Sequence, residues 1–333
     1  MSTIKDVARL AGVSVATVSR VLNGEKIVTS QTAERVQQAI QKLDYNPNML
    51  GRNLRKAQTR KILVLIPTMS NQFYSKVIRG IESEAQQSEY YPMVCATHGN
   101  PLAEEKYLTL LRTKLVDGVI FLNSTLPADE ITALGERYPI VQCCEYLDGS
   151  DTSSVMVDNE QAGYEAVTSL IKAGHRRIMF LGSSDRCFSS EKRLMGYRRA
   201  LQTHSIPIQD DYILLDTFSY KSGIRSADRM LSLPERPTAI FAVADSIAIG
   251  VIKRLLEKGY KVPRDCSIIG FDNVSIAEMY TPSLSTVAQP QFALGSNAFS
   301  LLLEKMHDLS SPNKQISLAC TLICRETTEN KGE

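Results

Sequence analysis

A chain of 333 residues, 43% hydrophobic and 22% charged, can bury a sizeable core and is expected to form two or three domains. No apolar run approaches the ~18 residues of a membrane helix and the N-terminus lacks the apolar segment of a secretory signal, so a membrane protein is excluded and a cytoplasmic one expected. The net charge of +2 hides an asymmetry: residues 1–60 carry ten Lys/Arg against four Asp/Glu, and the remainder carries 28 against 32. A basic head on a mildly acidic body directs the head toward a polyanion.

Taken in chain order, "TIKDVARLAGVSVATVSRVLNG" (3–24) comes first. Thr3 and Asp6 have capping-box spacing, with Asp in place of the usual Glu, and open a helix in which Val7, Leu10 and Ala11 share a face. Gly12 ends that helix, because the turn needs a residue tolerant of φ > 0. Ser14 caps a second helix with Val18, Val21 and Leu22 at i, i+3 and i+4, and Asn23-Gly24 closes it. A third segment, "SQTAERVQQAIQKL" (30–43), adds Val36, Ile40 and Leu43 to a small core. Two short helices around a tight turn, with a third behind, make a helix-turn-helix unit over 1–46.

In that unit the second helix enters the major groove with its leading residues at the base edges. Those residues are Val15, Ala16, Thr17, Ser19 and Arg20. Arg20 can donate two hydrogen bonds to a guanine edge, and Val15 and Ala16 can meet a thymine methyl. Thr17 and Ser19 suit phosphates, which set register without reading sequence. Thr3, Ser14, Asn23 and Tyr45 of the head, with Asn48 just beyond it, complete the candidate DNA-contacting set there. The bland alternative is a helical pair opening an ordinary domain, its polar residues merely solvated.

"YNPNMLGRNLRKAQTRK" (45–61) lacks the periodicity of a core helix and carries Arg52, Arg55, Lys56, Arg60 and Lys61. It reads as a basic linker over 47–60, whose short helix would be marginal without a partner. From Lys61 the pattern changes to apolar runs at 62–66, 118–122, 139–143, 177–181, 239–244 and 267–271, separated by amphipathic stretches such as 74–88, 159–173, 191–204 and 246–258. Alternating strand and helix predicts parallel sheets with helices on both faces, and so much chain predicts two doubly wound lobes. The fold class is therefore α/β, with an all-α head and a two-lobed body over 61–333.

Ligands of such lobes bind at the carboxyl ends of strands, in the crevice between them. The strand-end residues are Phe73, Tyr74, Asn123, Arg193, Phe218, Tyr220, Asp245 and Asp272. Aromatics with one arginine and two carboxylates suit a nucleoside or a sugar, although each residue taken singly could be core, ion pair or helix cap. No phosphate loop, dinucleotide fingerprint or nucleophile elbow occurs, so no catalytic residue is expected. The seven cysteines include the neighbours Cys143 and Cys144 and the looser pair Cys320 and Cys324, without C-x-x-C spacing, so neither a metal nor a cofactor is expected.

The opening stretch, continued by "YNPN" (45–48) and by Arg52 and Leu54, resembles the signature of the LacI/GalR family of bacterial repressors, and the resemblance covers essentially the whole chain. It implies that paired hinge helices lie in the minor groove with Leu54 wedged into a base step, Arg52 and Arg55 beside it. It implies a body like the periplasmic sugar-binding proteins, with lobes of roughly 61–158 plus 290–317 and 159–289 plus 318–333 joined by three crossovers. It places the effector at the aromatics after the first body strand, at the Arg of "RLMGY" (193–197) and at the Asp of "GFDN" (270–273). The cytidine-repressor-like members are most similar, on "GRNLRKAQTRKILVLIP" (51–67), "VIRGIE" (77–82) and "VAQP" (287–290). Thr68, Asn71-Gln72 and the loop 183–193 depart from the usual pattern.

The resemblance thus implies a homodimeric, nucleoid-associated repressor on a pseudo-palindromic double-stranded operator. Its effector would be a nucleoside before a sugar or sugar phosphate. A sensor whose head binds protein, and an enzyme of sugar or nucleoside metabolism, are the alternatives from other classes.

Overall fold

Side-chain caps written in the sequence set the helix starts of the N-terminal region. The computed structural model describes residues 2–22, 24, 27–45, 58–184 and 187–329. In α1 (Ile4–Ala11), Thr3 Oγ1 accepts from the Asp6 N–H at 3.3 Å while the Asp6 carboxylate accepts from the Thr3 N–H at 3.0 Å. Gly12, at φ 65°, turns the chain out of the helix. Ser14 Oγ accepts from the Thr17 N–H at 3.1 Å and starts α2 (Val15–Leu22); Thr29 caps α3 (Ser30–Lys42) through the Thr32 N–H.

Val7, Ala8, Ala11, Val18, Val36 and Ala39 form the core of this unit, with Val21, Leu22, Ile40 and Leu43 packed at its margin. Leu10, expected inside, is 46% exposed. Ile4 and Ala8 also face the core, and they rotate the buried arc of α1 away from position 10.

The chain divides after Thr59. Arg60, read above as the last linker residue, is held by the following unit: its N–H donates to Asp117 at 2.8 Å and its guanidinium lies 5.2 Å from the Tyr90 ring centroid. From there strands and helices alternate. The run begins β1 (Lys61–Ile66), α4 (Gln72–Gln87), β2 (Tyr91–Ala96), α5 (Pro101–Arg112), β3 (Gly118–Phe121), α6 (Ala128–Gly135), β4 (Ile140–Cys143) and β5 (Ser154–Val157). It continues α7 (Asn159–Lys172), β6 (Ile178–Ser183), α8 (Phe188–Thr203), β7 (Ile213–Asp216), α9 (Tyr220–Leu231), β8 (Ala239–Ala242), α10 (Asp245–Glu257) and β9 (Ser267–Asp272). It ends α11 (Ser275–Met279), β10 (Ser285–Ala288), α12 (Gln291–His307), β11 (Gln315–Leu318) and β12 (Thr321–Ile323).

Two six-stranded sheets result, ordered β2-β1-β3-β4-β5-β11 and β7-β6-β8-β9-β10-β12. Every neighbouring pair is parallel except β10 with β12. The chain passes between sheets after β5, after β10 and between β11 and β12, so each lobe is completed by a strand from the C-terminal end. Leu318 still pairs in the first sheet, one residue beyond the expected change of lobe. Among the described residues no helix is long and apolar enough to cross a membrane.

Helices cover the sheets in pairs that meet through glycine. A Cβ on Gly295 of α12 would enter the Val77 carbonyl oxygen of α4, and one on Gly80 would enter the Phe292 carbonyl oxygen. Gly163 with Gly196 and Gly223 with Gly250 do the same for α7/α8 and α9/α10. Backbones this close leave no room for a methyl group. Alanine favours a helix interior over glycine by ~1 kcal/mol, yet Gly295→Ala should destabilise the protein by about 1–3 kcal/mol through overpacking. Urea unfolding measures the sign, and a stabilised variant would refute the close packing.

Candidate DNA-reading surface and ligand cleft

Val18, fully buried, turns one face of α2 into the core of the head and the opposite face outward. Val15, Ala16 and Arg20 are exposed and Thr17 and Ser19 half-exposed, so the five residues expected at base edges and phosphates share one surface. Spacings of i and i+4 put Val15 over Ser19 and Ala16 over Arg20. Ser14 Oγ lies 2.9 Å from Thr17 Oγ1, a pair of hydroxyls at the helix start where a phosphate is favoured.

Two other expected contacts are structural first. Thr3 spends its hydroxyl on Asp6, at 2.7 Å, and the Tyr45 ring packs against the core of the head. Asn23, Asn48, Arg52, Leu54 and Arg55 lie outside the described residues.

In the body a cleft of about 680 Å³ opens between the carboxyl ends of the two sets of strands. Phe73, Tyr74 and Asn123 line it from the first lobe, and Arg193, Phe218, Tyr220 and Asp272 from the second. Asp245 does not. It is fully buried beneath the cleft, where its carboxylate accepts from Thr286 Oγ1 at 2.5 Å and from the Val274 N–H at 2.8 Å. Helix α10 starts at this residue and its side chain folds inward to fasten the turn after β9 to β10; Ser246 faces the cleft instead.

The side chains that do line the cleft are held firmly. Arg193, 4% exposed, donates from Nε to Asn159 Oδ1 at 2.9 Å and from Nη1 to the Val243 carbonyl at 2.6 Å. Its guanidinium stacks 3.5 Å from the Phe271 ring centroid. Asp272 accepts from Gln289 Nε2 at 2.7 Å and sits at φ 109°, a conformation costly for a residue with a Cβ and characteristic of functional sites. Phe73 and Tyr74 meet edge-on, centroids 5.3 Å apart.

Burial, followed by the charge of Glu145, raises the Tyr74 hydroxyl far above its ordinary range, so it stays a neutral donor. Burial pushes the Asp272 carboxyl up to about 6 against the pull of Arg193, and burial with the charge of Asp272 pushes Asp245 up to about 8.

Sequence reasoning missed Cys144, Glu145, Cys187, Ser189 and Gln289, which also line the cleft. The run at 139–143 is the strand that precedes Cys144 and Glu145, so the strand-end rule already in use would have reached them. Gln289 follows β10 (Ser285–Ala288), in which polar Ser285 and Thr286 break the apolar run that marks the other strands. Among the described residues no three metal-ligating side chains converge, and the seven cysteines are free thiols.

A helix-turn-helix head joined to a two-lobed body with a closed-in cleft defines a ligand-responsive DNA-binding regulator. Residues 3–48 match the family model described as bacterial regulatory proteins of the lacI family, and residues 167–328 match a periplasmic binding protein-like domain. The HTH-type transcriptional repressor PurR of Vibrio parahaemolyticus is 35% identical over 332 residues, 99% of each chain. The repressor CytR of Escherichia coli K12 is 36% identical over 98% of this chain and 96% of its own. The crystal structure of the lac repressor dimer bound to operator and the anti-inducer ONPF superposes with a TM-score of 0.89 at 27% identity, covering 98% of this chain and 99% of that one.

The chain belongs to the LacI family of transcriptional repressors. It is a DNA-binding regulator and not an enzyme. Its similarity to PurR and to CytR is nearly equal, so identity alone does not favour the cytidine-repressor-like members.

The two buried carboxyls make the stability of the body sensitive to pH. Both are raised above the ordinary aspartate range, to about 8 for Asp245 and about 6 for Asp272, so between about pH 4 and 8 the folded state holds protons that the unfolded chain releases. Their contribution to stability is complete below that window and falls as pH rises through it. Urea midpoints taken across the window should decline, and Asp245→Asn should flatten the decline; an unchanged slope in the variant would contradict the assignment.

Proposed function

We propose that the chain acts as a cytoplasmic, nucleoid-associated homodimer that represses transcription from a pseudo-palindromic operator under the control of a small metabolite, a nucleoside before a sugar or sugar phosphate. The observation that carries the DNA-reading part is the outward face of α2, where Val15, Ala16 and Arg20 project beyond a capped start at Ser14 while Val18 anchors the helix from behind. Two such units related by a two-fold axis would meet two half-sites about one helical turn apart. The resemblance to a lac repressor dimer bound to operator supports that arrangement.

The effector would lie between Arg193 and Asp272, its ring against Phe73, Tyr74, Phe218 and Tyr220. A cleft of about 680 Å³ falls within the ~300–1,000 Å³ of small-molecule sites. Closing the lobes around the effector would change the spacing of the two linkers and thereby the fraction of dimers able to order them on DNA, with a coupling of ~1–3 kcal/mol. Asp245 belongs to the framework under this site.

Selection from random duplexes followed by binding titrations tests the reading. Arg20→Ala should lose ~1–3 kcal/mol of discrimination at one base pair of each half-site, and an equal loss on every duplex would remove Arg20 from base reading. Leu54→Ala should weaken binding to the selected operator while leaving the salt-dependent affinity for random DNA largely unchanged. Equal loss on both would rule out the wedge. A thermal-shift screen of nucleosides, bases, sugars and sugar phosphates identifies the effector class, and no response to any of them would remove the effector reading.

A further inference from the structure

We propose that Glu145 fills, with the protein's own carboxylate, the anion site that helix α8 would otherwise offer a ligand, and so restricts the cleft to effectors that carry no phosphate. The proposal rests on reading the cleft as the effector site. Helix α8 begins at the cleft wall, where free N–H groups and the positive end of the helix dipole make a natural seat for a phosphate. Its N-cap, Cys187, makes no side-chain cap bond. The missing partner comes from across the cleft. Glu145, beyond β4 in the other lobe, accepts from the Ser189 N–H at 3.0 Å, from Ser189 Oγ at 2.5 Å and from Cys187 Sγ at 2.9 Å.

Neighbouring contacts hold the carboxylate there. The Tyr146 ring meets Phe188 edge-on, centroids 6.0 Å apart, and Lys192 Nζ lies 3.7 Å from Asp148. The segment after β4 is thus laid against the first turn of α8, and the Ser189 N–H and hydroxyl at that turn are occupied before any ligand arrives.

The charges around the cleft act in the same direction. Among the described residues that line it, Glu145 and Asp272 are acidic and Arg193 alone is basic. Arg193 already serves Asn159 and Val243 and stacks on Phe271. A phosphate would meet two carboxylates and find the helix terminus taken. A neutral hydroxyl-bearing ring would instead find Asp272 as acceptor and Asn123 as an amide partner, with aromatic faces on both sides.

Calorimetric and thermal-shift titrations of the full-length protein at constant ionic strength test this with inorganic phosphate, with cytidine against cytidine 5′-monophosphate, and with ribose against ribose 5-phosphate. Wild type should ignore inorganic phosphate and bind any phosphorylated member at least about tenfold more weakly than its parent. Glu145→Ser should bind inorganic phosphate about tenfold or more tighter than wild type does. Glu145→Gln, which keeps the size and removes the charge, should move the same way and replaces the serine variant if that one fails to fold. A wild type that binds phosphate as well as the variants do, or takes a phosphorylated ligand as tightly as its parent, overturns the proposal. If neither cytidine nor ribose binds but Glu145→Ser gains phosphate, the filled anion site stands and the choice of nucleoside or sugar as effector falls.

Discussion

Parallel pairing governs where function can sit in this protein. When neighbouring strands run the same way, every one of them delivers its chain to the same edge of the sheet, and the loops beyond that edge bring residues from many parts of the chain together. Both sheets here share one strand order, with β1 between β2 and β3 and β6 between β7 and β8. Phe73 and Tyr74 follow β1, Asn123 follows β3, Arg193 lies beyond β6, Phe218 and Tyr220 follow β7, and Asp272 ends β9. Residues far apart in the chain therefore line one cleft, and the three passages between sheets tie the two sides together.

That arrangement is costly in charge and backbone geometry, and the costs cluster where the ligand is expected. Asp272 adopts a strained φ, Asp245 is fully buried, and Arg193 is nearly so. Each survives because its partners over-determine it: Gln289 and Gln291 hold Asp272 through side chain and carbonyl, Thr286 and Val274 hold Asp245, and Asn159, Val243 and Phe271 hold Arg193. Glu145 extends the same principle between lobes, because its partners lie on α8. A site rigid within each lobe and bridged by a few polar contacts is suited to two discrete arrangements, which is what coupling to DNA binding requires.

How much could be read beforehand depended on how local the causes were. The head was legible almost to the residue, because a capping box at Thr3 and Asp6, a left-handed turn at Gly12 and a hydroxyl cap at Ser14 each act over no more than four residues. Leu10 was misplaced because its exposure depends on how Ile4 and Ala8 share the core. Fully buried strands such as β1, β3, β6 and β9 announced themselves as unbroken apolar runs. The short or half-exposed strands β2, β5, β7, β10, β11 and β12 did not, since their hydrophobic content is diluted by polar partners. In the cleft, proximity to a strand end sufficed for seven of the eight residues. It failed for Asp245, since whether an acid at a helix start faces ligand or framework depends on Thr286 and Val274, some thirty to forty residues away.

The central claim is that ligand in the cleft and operator under α2 bias the same two states of one molecule. Binding of a selected operator, followed by fluorescence anisotropy with and without a saturating metabolite from the cleft screen, measures it most directly when repeated in reverse with the metabolite titrated. Coupling predicts that the metabolite changes operator affinity by ~5–150-fold and that the operator changes metabolite affinity by the same factor. Operator binding indifferent to every metabolite that occupies the cleft would contradict it.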